Sequence, residues 1–468
     1  MKFCSSIKNL SALLVVMVLC TGVVSAQSNF NSTYSRFGLG LLEQPGTTTH
    51  FGMGGLTSPV ADAHVINFAN PGTYSFLETT MLQVTGKGGI VDTHTETESA
   101  QNIDGTVSGL GLAFKKPYSK WAFVMGLAPY SSVNYSFGSK QTLNDSTNAK
   151  YTYSGKGGLN IATLGSSRAF QFYSYRANRD TACVKDSLMK IGHQLSIGVN
   201  MNYLFGSIER TTLIDYQNTG YFNTRRTSNL FAQGFIFDLG AFYRVALKSY
   251  CDKGRWLPKL QLQAGAVYSF NSDLRARYND VGELWAYNSY GLIMPLDTAY
   301  RISEETGRMK LPGKISVGAA IRRISRRSGS IVLGVDYKMQ NWKNYKLTLP
   351  TDAGTANNLN ASYTMSVGFE YKPSTSASTD LFHRMAYRLG ARNTDTYLIF
   401  GDQKIVQQAI SAGLSIPIVR TDSKFHIGAE YGTNGTTSSG LIQEDFINFM
   451  VGFSLTPRET WFFQRKYD

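Results

Sequence analysis

The sequence predicts an all-β fold: a transmembrane antiparallel β-barrel of about fourteen strands, preceded by an N-terminal hatch or plug segment. Three observations predict it. A cleavable leader opens the chain, the composition is rich in glycine and aromatics but poor in charge, and apolar side chains recur at every second position along many segments.

Lys2 and Lys8, the apolar run Leu10 to Leu19 and the small residues Val24-Ser25-Ala26 make residues 1–26 a signal peptide, cleaved before Gln27. Its apolar core is too short for a spanning helix. Cys20 is a poor lipid-attachment site, because Leu19 stands where that processing requires a small residue. Beyond Gln27 no stretch reaches the ~18 uninterrupted apolar residues of a membrane helix. The exported chain is therefore either soluble or a barrel, and composition favours the barrel. There are 45 Gly, 27 Tyr and 27 Phe, and charged residues make up only 17%, below the ~25% of soluble domains. That balance suits a polar lumen, an apolar outer band and aromatic girdles, and so the cell outer membrane. The formal charge of +14 is scattered over strands and loops, so no nucleic acid is expected as a partner. Basic groups at a membrane rim would instead meet anionic headgroups, which makes outer-membrane lipids an expected partner.

Period two carries the barrel prediction, since a strand sends successive side chains to opposite faces. Leu195, Ile197, Val199, Met201 and Tyr203 alternate with polar residues or Gly, as do Ile331 to Gln340, Tyr363 to Lys372, Leu260 to Asn271 and Phe425 to Gly432. Asp238, Arg244, Arg322, Asp336, Glu370, His426 and Glu430 all share the parity of the small residues, which places them on a watery inner face. A soluble sandwich would put its Leu, Ile and Phe inside instead. The strands are expected near 76–91, 105–117, 119–137, 151–167, 191–212, 229–248, 258–279, 311–324, 328–345, 359–372, 381–398, 403–418, 423–434 and 442–456, with an error of ~2–4 residues at each end.

Connection lengths alternate too. Lys116 to Lys120, Ser325 to Ser328 and Arg420 to Ser423 read as tight periplasmic turns. Ser139 to Lys150, Thr211 to Ser228, Asp280 to Lys310 and Lys346 to Asn358 read as long outer loops. Arg168 to Lys190 breaks the rule, being long on the periplasmic side. Cys183 lies there and Cys251 on the same side, a candidate disulfide that the envelope permits but that spacing does not settle.

The chain thus divides into the leader, a hatch segment at 27–73, a barrel at 74–457 and a periplasmic tail at 458–468. The hatch segment lacks alternation. It contains Tyr34-Ser35-Arg36-Phe37-Gly38, Gly52-Met53-Gly54-Gly55 and Asn67-Phe68-Ala69-Asn70-Pro71-Gly72. Aromatics and glycines of this density argue against disorder and for a plug folded into the lumen.

These motifs, with Gly157-Gly158-Leu159-Asn160, Tyr203-Leu204-Phe205-Gly206 and the closing Trp461 to Asp468, resemble the FadL-related outer-membrane transporters, in particular the PorV-like branch. The resemblance spans most of the mature chain through short motifs. It implies a hatch, a hydrophobic small-molecule ligand and a lateral gap near the third strand. Pro129, which lacks a donor and interrupts a ladder, suits such a gap. Arg36, Phe37, Asn70, Pro71 and Pro129 are accordingly the candidate ligand and gating positions. The PorV-like likeness also implies another partner, a secretion-system barrel for which this chain would be an accessory.

Chemistry is not expected. Ser154-Gly155-Lys156-Gly157-Gly158 lacks the phosphate-loop spacing. His50, His64, His94, His193, His383 and His426 show no zinc spacing. His94 beside Asp92, Glu96 and Glu98 reads as a charged outer loop. No nucleophile motif stands out, so no catalytic residue, metal or cofactor is expected.

Overall fold

The computed structural model describes residues 32–44, 46–96, 98–116, 119–142, 148–177, 188–216, 221–252, 255–325, 329–350, 359–374, 380–401, 403–418 and 421–456. The leader, the tail and Cys183 lie outside the described residues, as does the side chain of Cys251.

Fourteen antiparallel strands close into a barrel. They are β1 Met81–His94, β2 Ser99–Phe114, β3 Trp121–Thr142, β4 Asn148–Ala177, β5 Leu188–Tyr216 and β6 Asn223–Asp252. Strand β7 runs through Arg255–Ser269 and Ser272–Tyr287, and β8 through Ile293–Leu311 and Lys314–Ser325. Then follow β9 Gly329–Asn341, β10 Ala361–Lys372, β11 Ala386–Phe400, β12 Gln403–Pro417, β13 Lys424–Gly435 and β14 Gln443–Leu455. The two parts of β7 form one strand because β6 pairs with both, from Asn223↔Trp285 to Asp252↔Arg255. Closure is made by β14 on β1, from Gln443↔His94 to Leu455↔Leu82. It removes the free edges that an open sheet would expose.

The alternation turns out as apolar outside and polar inside. On β9, Leu333 is 54% and Val335 46% exposed, whereas Asp336 is 2% exposed. Ile197, Val199 and Met201 likewise face outward while Ser196, Asn200 and Asn202 are buried. This is the inverse of a soluble core and suits a wall facing acyl chains.

Several segments differ from the sequence reading: strands run into the expected outer loops at 139–150, 211–228 and 346–358, and three differences are larger. Ile293–Leu311, expected within a loop, is the outer half of β8. Register shifts at Pro295/Asp297, Thr298/Tyr300 and Ile302/Glu305 disturb its pairing with β7, and residues 293–301 are exposed on both faces. Bulges erase the two-residue period on which the reading relied. Similarly, β4 and β5 continue into Arg168–Lys190 as a hairpin, pairing as far as Ala177↔Leu188. The first strand also begins later than expected, at Met81, because Pro71–Phe76 forms a 3-10 turn inside the barrel.

Candidate functional site: a cavity behind a break in the wall

Residues 32–77 run through the lumen, tied to inward side chains around the wall. At one end Glu444 accepts from the hydroxyl of Ser32 (2.6 and 2.8 Å) and from the amide of Thr33 (2.7 Å). In the middle, Asp336 accepts from the amides of Thr57 (3.0 Å) and Ser58 (3.1 Å) and from the Thr57 hydroxyl (3.1 Å). Lys338 donates to the carbonyl of Gly55 (2.8 Å). Towards the other end, Asn70 donates to the carbonyls of Ser58 (2.8 Å) and Ala241 (3.3 Å), and Tyr74 donates to Asn200 (3.0 Å). Buried donors and acceptors need partners, and here wall and segment supply each other's.

Glycine makes the fit. Each of β2 to β14 places one glycine against residues 48–74, close enough that an added Cβ would press on or collide with the segment. At Gly240 it would lie 2.5 Å from the Asn70 side chain, and at Gly368 2.7 Å from the carbonyl of Met53. At Gly265 and Gly390 it would strike the backbone of Ser58 and of Gly54. The missing side chains form a waist into which the segment's main chain settles.

Between β2 and β3 the wall is broken. Their ladder covers Phe114↔Phe123 to Leu110↔Leu127 and then stops, although both strands continue. Beyond that point the freed edge of β3 is taken by the N-terminal segment. Leu41 and Leu42 pair with Ser132 and Ser131, and the Glu43 amide donates to the carbonyl of Tyr130 (3.0 Å). Behind the break lies a cavity of about 370 Å³. Phe68, Gly109, Leu110, Leu127, Pro129 and Tyr130 line it on the side of the break. Deeper in, ion pairs Lys87–Glu43 (3.1 Å) and Arg392–Glu430 (3.2 Å) border it.

The five candidate residues fall in three places. Arg36 stacks its guanidinium on Tyr153 (3.9 Å) with Phe137 nearby (5.6 Å), and Phe37 meets Phe400 edge-on at 4.7 Å. Neither lines the cavity; both hold the start of the segment against β3, β4 and β11. Asn70 and Pro71 sit at the waist against Gly240. Pro129 lines the cavity two residues beyond the last β2–β3 pair, at a register shift in the ladder to β4. Sequence reasoning missed Asp336 and Glu444 as anchors, and missed Leu41 and Leu42 as a cap for β3. Inward parity marked Asp336 but could not name its partners.

His50 ties the segment to pH. Its Nδ1 accepts from the Thr47 amide (3.4 Å) and lies 3.0 Å from the Thr47 hydroxyl, closing a capping box. Burial, then the neighbouring Lys338 and Arg388, hold its pKa down to about 3. Burial and then Lys424 lower His64 as well. A depressed histidine contributes stability that is fully present above its unfolded pKa of about 6.5 and is lost as pH falls towards the folded value. Proteolysis within residues 46–66 is therefore expected to rise between about pH 6.5 and 3 and to stay flat above that window. Replacing both histidines with glutamine should reduce that rise.

Comparisons with known proteins agree with this architecture. Among solved structures, the chain is similar to the Pseudomonas putida toluene transporter TodX, at 16% identity over 88% of this chain and 98% of that one, with a TM-score of 0.50. A TodX deltaS2S3 mutant monoaromatic hydrocarbon channel gives a TM-score of 0.54 at 16% identity, covering 88% and 99%. A Pseudomonas aeruginosa FadL homologue aligns over 88% and 98% at 13% identity, with a TM-score of 0.47. At these identities the likeness is one of fold. No curated protein matches the sequence. The profile of one family, BamG, matches residues 6–172 and 186–468. The chain is a closed β-barrel with the fold of these channels, and it belongs to the BamG family.

Proposed function

We propose that this barrel conducts hydrophobic small molecules passively. A solute leaves the outer leaflet through the break between β2 and β3, occupies the cavity and passes the N-terminal segment, which serves as a hatch. The observation that carries this reading is the ladder that stops at Leu110↔Leu127 in front of a largely apolar cavity. Its volume falls in the range of small-ligand sites. TodX, similar in fold, is a toluene transporter, so monoaromatic hydrocarbons and fatty-acid-like molecules are the classes to try first. In this reading Pro129 keeps β3 from re-pairing across the break, since it offers no donor, and Asn70 and Pro71 seat the hatch.

The test is uptake of a labelled fatty acid or of toluene into liposomes carrying the purified barrel. At Gly109, which lines the cavity mouth, an added Cβ would press the Thr85 hydroxyl at 3.0 Å, which must turn aside, but meets no backbone nearer than 3.8 Å. Gly109→Trp is expected to cut uptake about tenfold by filling the entrance, with folding unchanged. Deleting residues 28–70 should raise leakage of polar solutes. If intact protein, Gly109→Trp and the deletion all match empty liposomes, transport is wrong. Co-purification with a large secretion barrel would then favour the accessory role to which the PorV-like motifs point.

A further inference from the structure

The outward face of β7 and β8 changes character abruptly. Tyr268, Phe270 and Ile315 are exposed by 41%, 47% and 49% and close the apolar band at this side. Above them the same face carries Asp273 opposite Lys310, Arg275 opposite Arg308 and Arg277 opposite Thr306. The short strand Lys346–Thr348 adds Lys346 opposite Lys310. All these side chains are exposed.

Like charges directly opposite one another destabilise a sheet, and here Arg275 faces Arg308 and Lys310 faces Lys346. Arg277 is answered by Glu304 at 3.5 Å. Asp273 stands opposite Lys310, but among the described residues no carboxylate lies within 4.0 Å of Arg275, Arg308, Lys310 or Lys346. Arg308, Lys310 and Lys346 line a hollow of about 410 Å³ together with Asp273, Thr306, Leu349 and Pro350, and Arg275 stands next to it, opposite Arg308. Gly307 lets the crossing chain approach closely, because a Cβ there would strike the Thr348 backbone.

Height identifies the occupant. Asp273 and Arg275 stand three and five residues beyond Phe270, roughly 10 to 16 Å along a strand rising ~3.3 Å per residue. With strands tilted ~45° this is roughly 7 to 11 Å above the acyl region, at the outer rim of the headgroup layer. We infer that Arg275, Arg308, Lys310 and Lys346 form a binding site for a phosphate-bearing lipid headgroup of the outer leaflet. Guanidinium and ammonium groups make charge-assisted hydrogen bonds to phosphate oxygens. The acyl chains of a lipid held there would lie on Tyr268, Phe270 and Ile315. A free anion would use the charges but not that apolar face. The site lies on the outer wall and does not depend on the transport reading.

The experiment uses the full barrel in detergent, with diphosphorylated lipid A, the same glycolipid stripped of phosphate, and inorganic phosphate as probes. Tight binding of the phosphorylated lipid alone is expected. Changing all four cations to glutamine should weaken it about tenfold or more, while Lys150→Gln with Lys404→Gln leaves it unchanged. Heat-modifiable gel mobility confirms that each variant is folded, and the comparison of the two lipids needs no variant at all. Equal binding of the stripped lipid, or an unaffected quadruple variant, overturns the proposal. Inorganic phosphate binding as tightly as lipid A would make the site one for free anions and overturn it too.

Discussion

Gly265→Leu is expected to unseat the N-terminal segment while leaving the strands paired. A Cβ at this position would collide with the carbonyl oxygen of Ser58, a main-chain atom that cannot turn aside as a flexible side chain can. Overpacking usually costs about 1–3 kcal/mol, and a clash with backbone belongs at the top of that range or beyond. The Asn70 side chain, which donates to the same carbonyl at 2.8 Å, would lose its partner together with the seat. In planar bilayers the variant should show higher ion conductance than the unaltered protein. A protease added to the barrel should cut within residues 46–70. Gly265→Ala is the milder control and should fall between the two. Unchanged conductance and proteolysis in Gly265→Leu would mean that the segment does not depend on this contact.

Asp336→Ala should have a comparable effect for an electrostatic reason. The carboxylate takes three hydrogen bonds from Thr57 and Ser58 and stands 3.7 Å from Lys338. Truncating it strands two buried amides and leaves the lysine without its counter-ion. Breaking one side of such a buried network typically costs about 3–5 kcal/mol. Hydrogen exchange should therefore accelerate at Thr57 and Ser58 and stay slow in β9. Asp336→Asn, which keeps an acceptor of the same shape, should retain part of the protection. If Asp336→Ala protected these amides as well as the unaltered protein does, the anchor would lie elsewhere.

Much of the wall was legible in the sequence because each strand had to satisfy two solvents. Leu333, Val335 and Tyr337 point outward while Asp336 is buried, and the two-residue period is the imprint of that split. The outer half of β8 was illegible for the same reason. Over residues 293–301 both of its faces are exposed, its bulges shift the parity, and no apolar stripe remains to be read. Inside the barrel, charge on the small-residue parity announced an aqueous lumen, yet the pairing of Asp336 with Thr57 and Ser58 spans some 280 positions. No local pattern encodes a contact of that separation in a non-periodic segment. The glycines of the waist were visible one by one as members of the polar face. Their alignment at one level emerges only from strand register, which the alternation alone does not give.

Leu41 and Leu42 complete the hydrogen bonding that β3 gives up when β2 leaves it. The break in the wall and the segment inside the barrel are therefore fastened to the same peptide groups. If that stretch shifts, the edge of β3 is left with bare amides and carbonyls that must find water or their former neighbour. Neither the break nor the inner segment can be adjusted without the other.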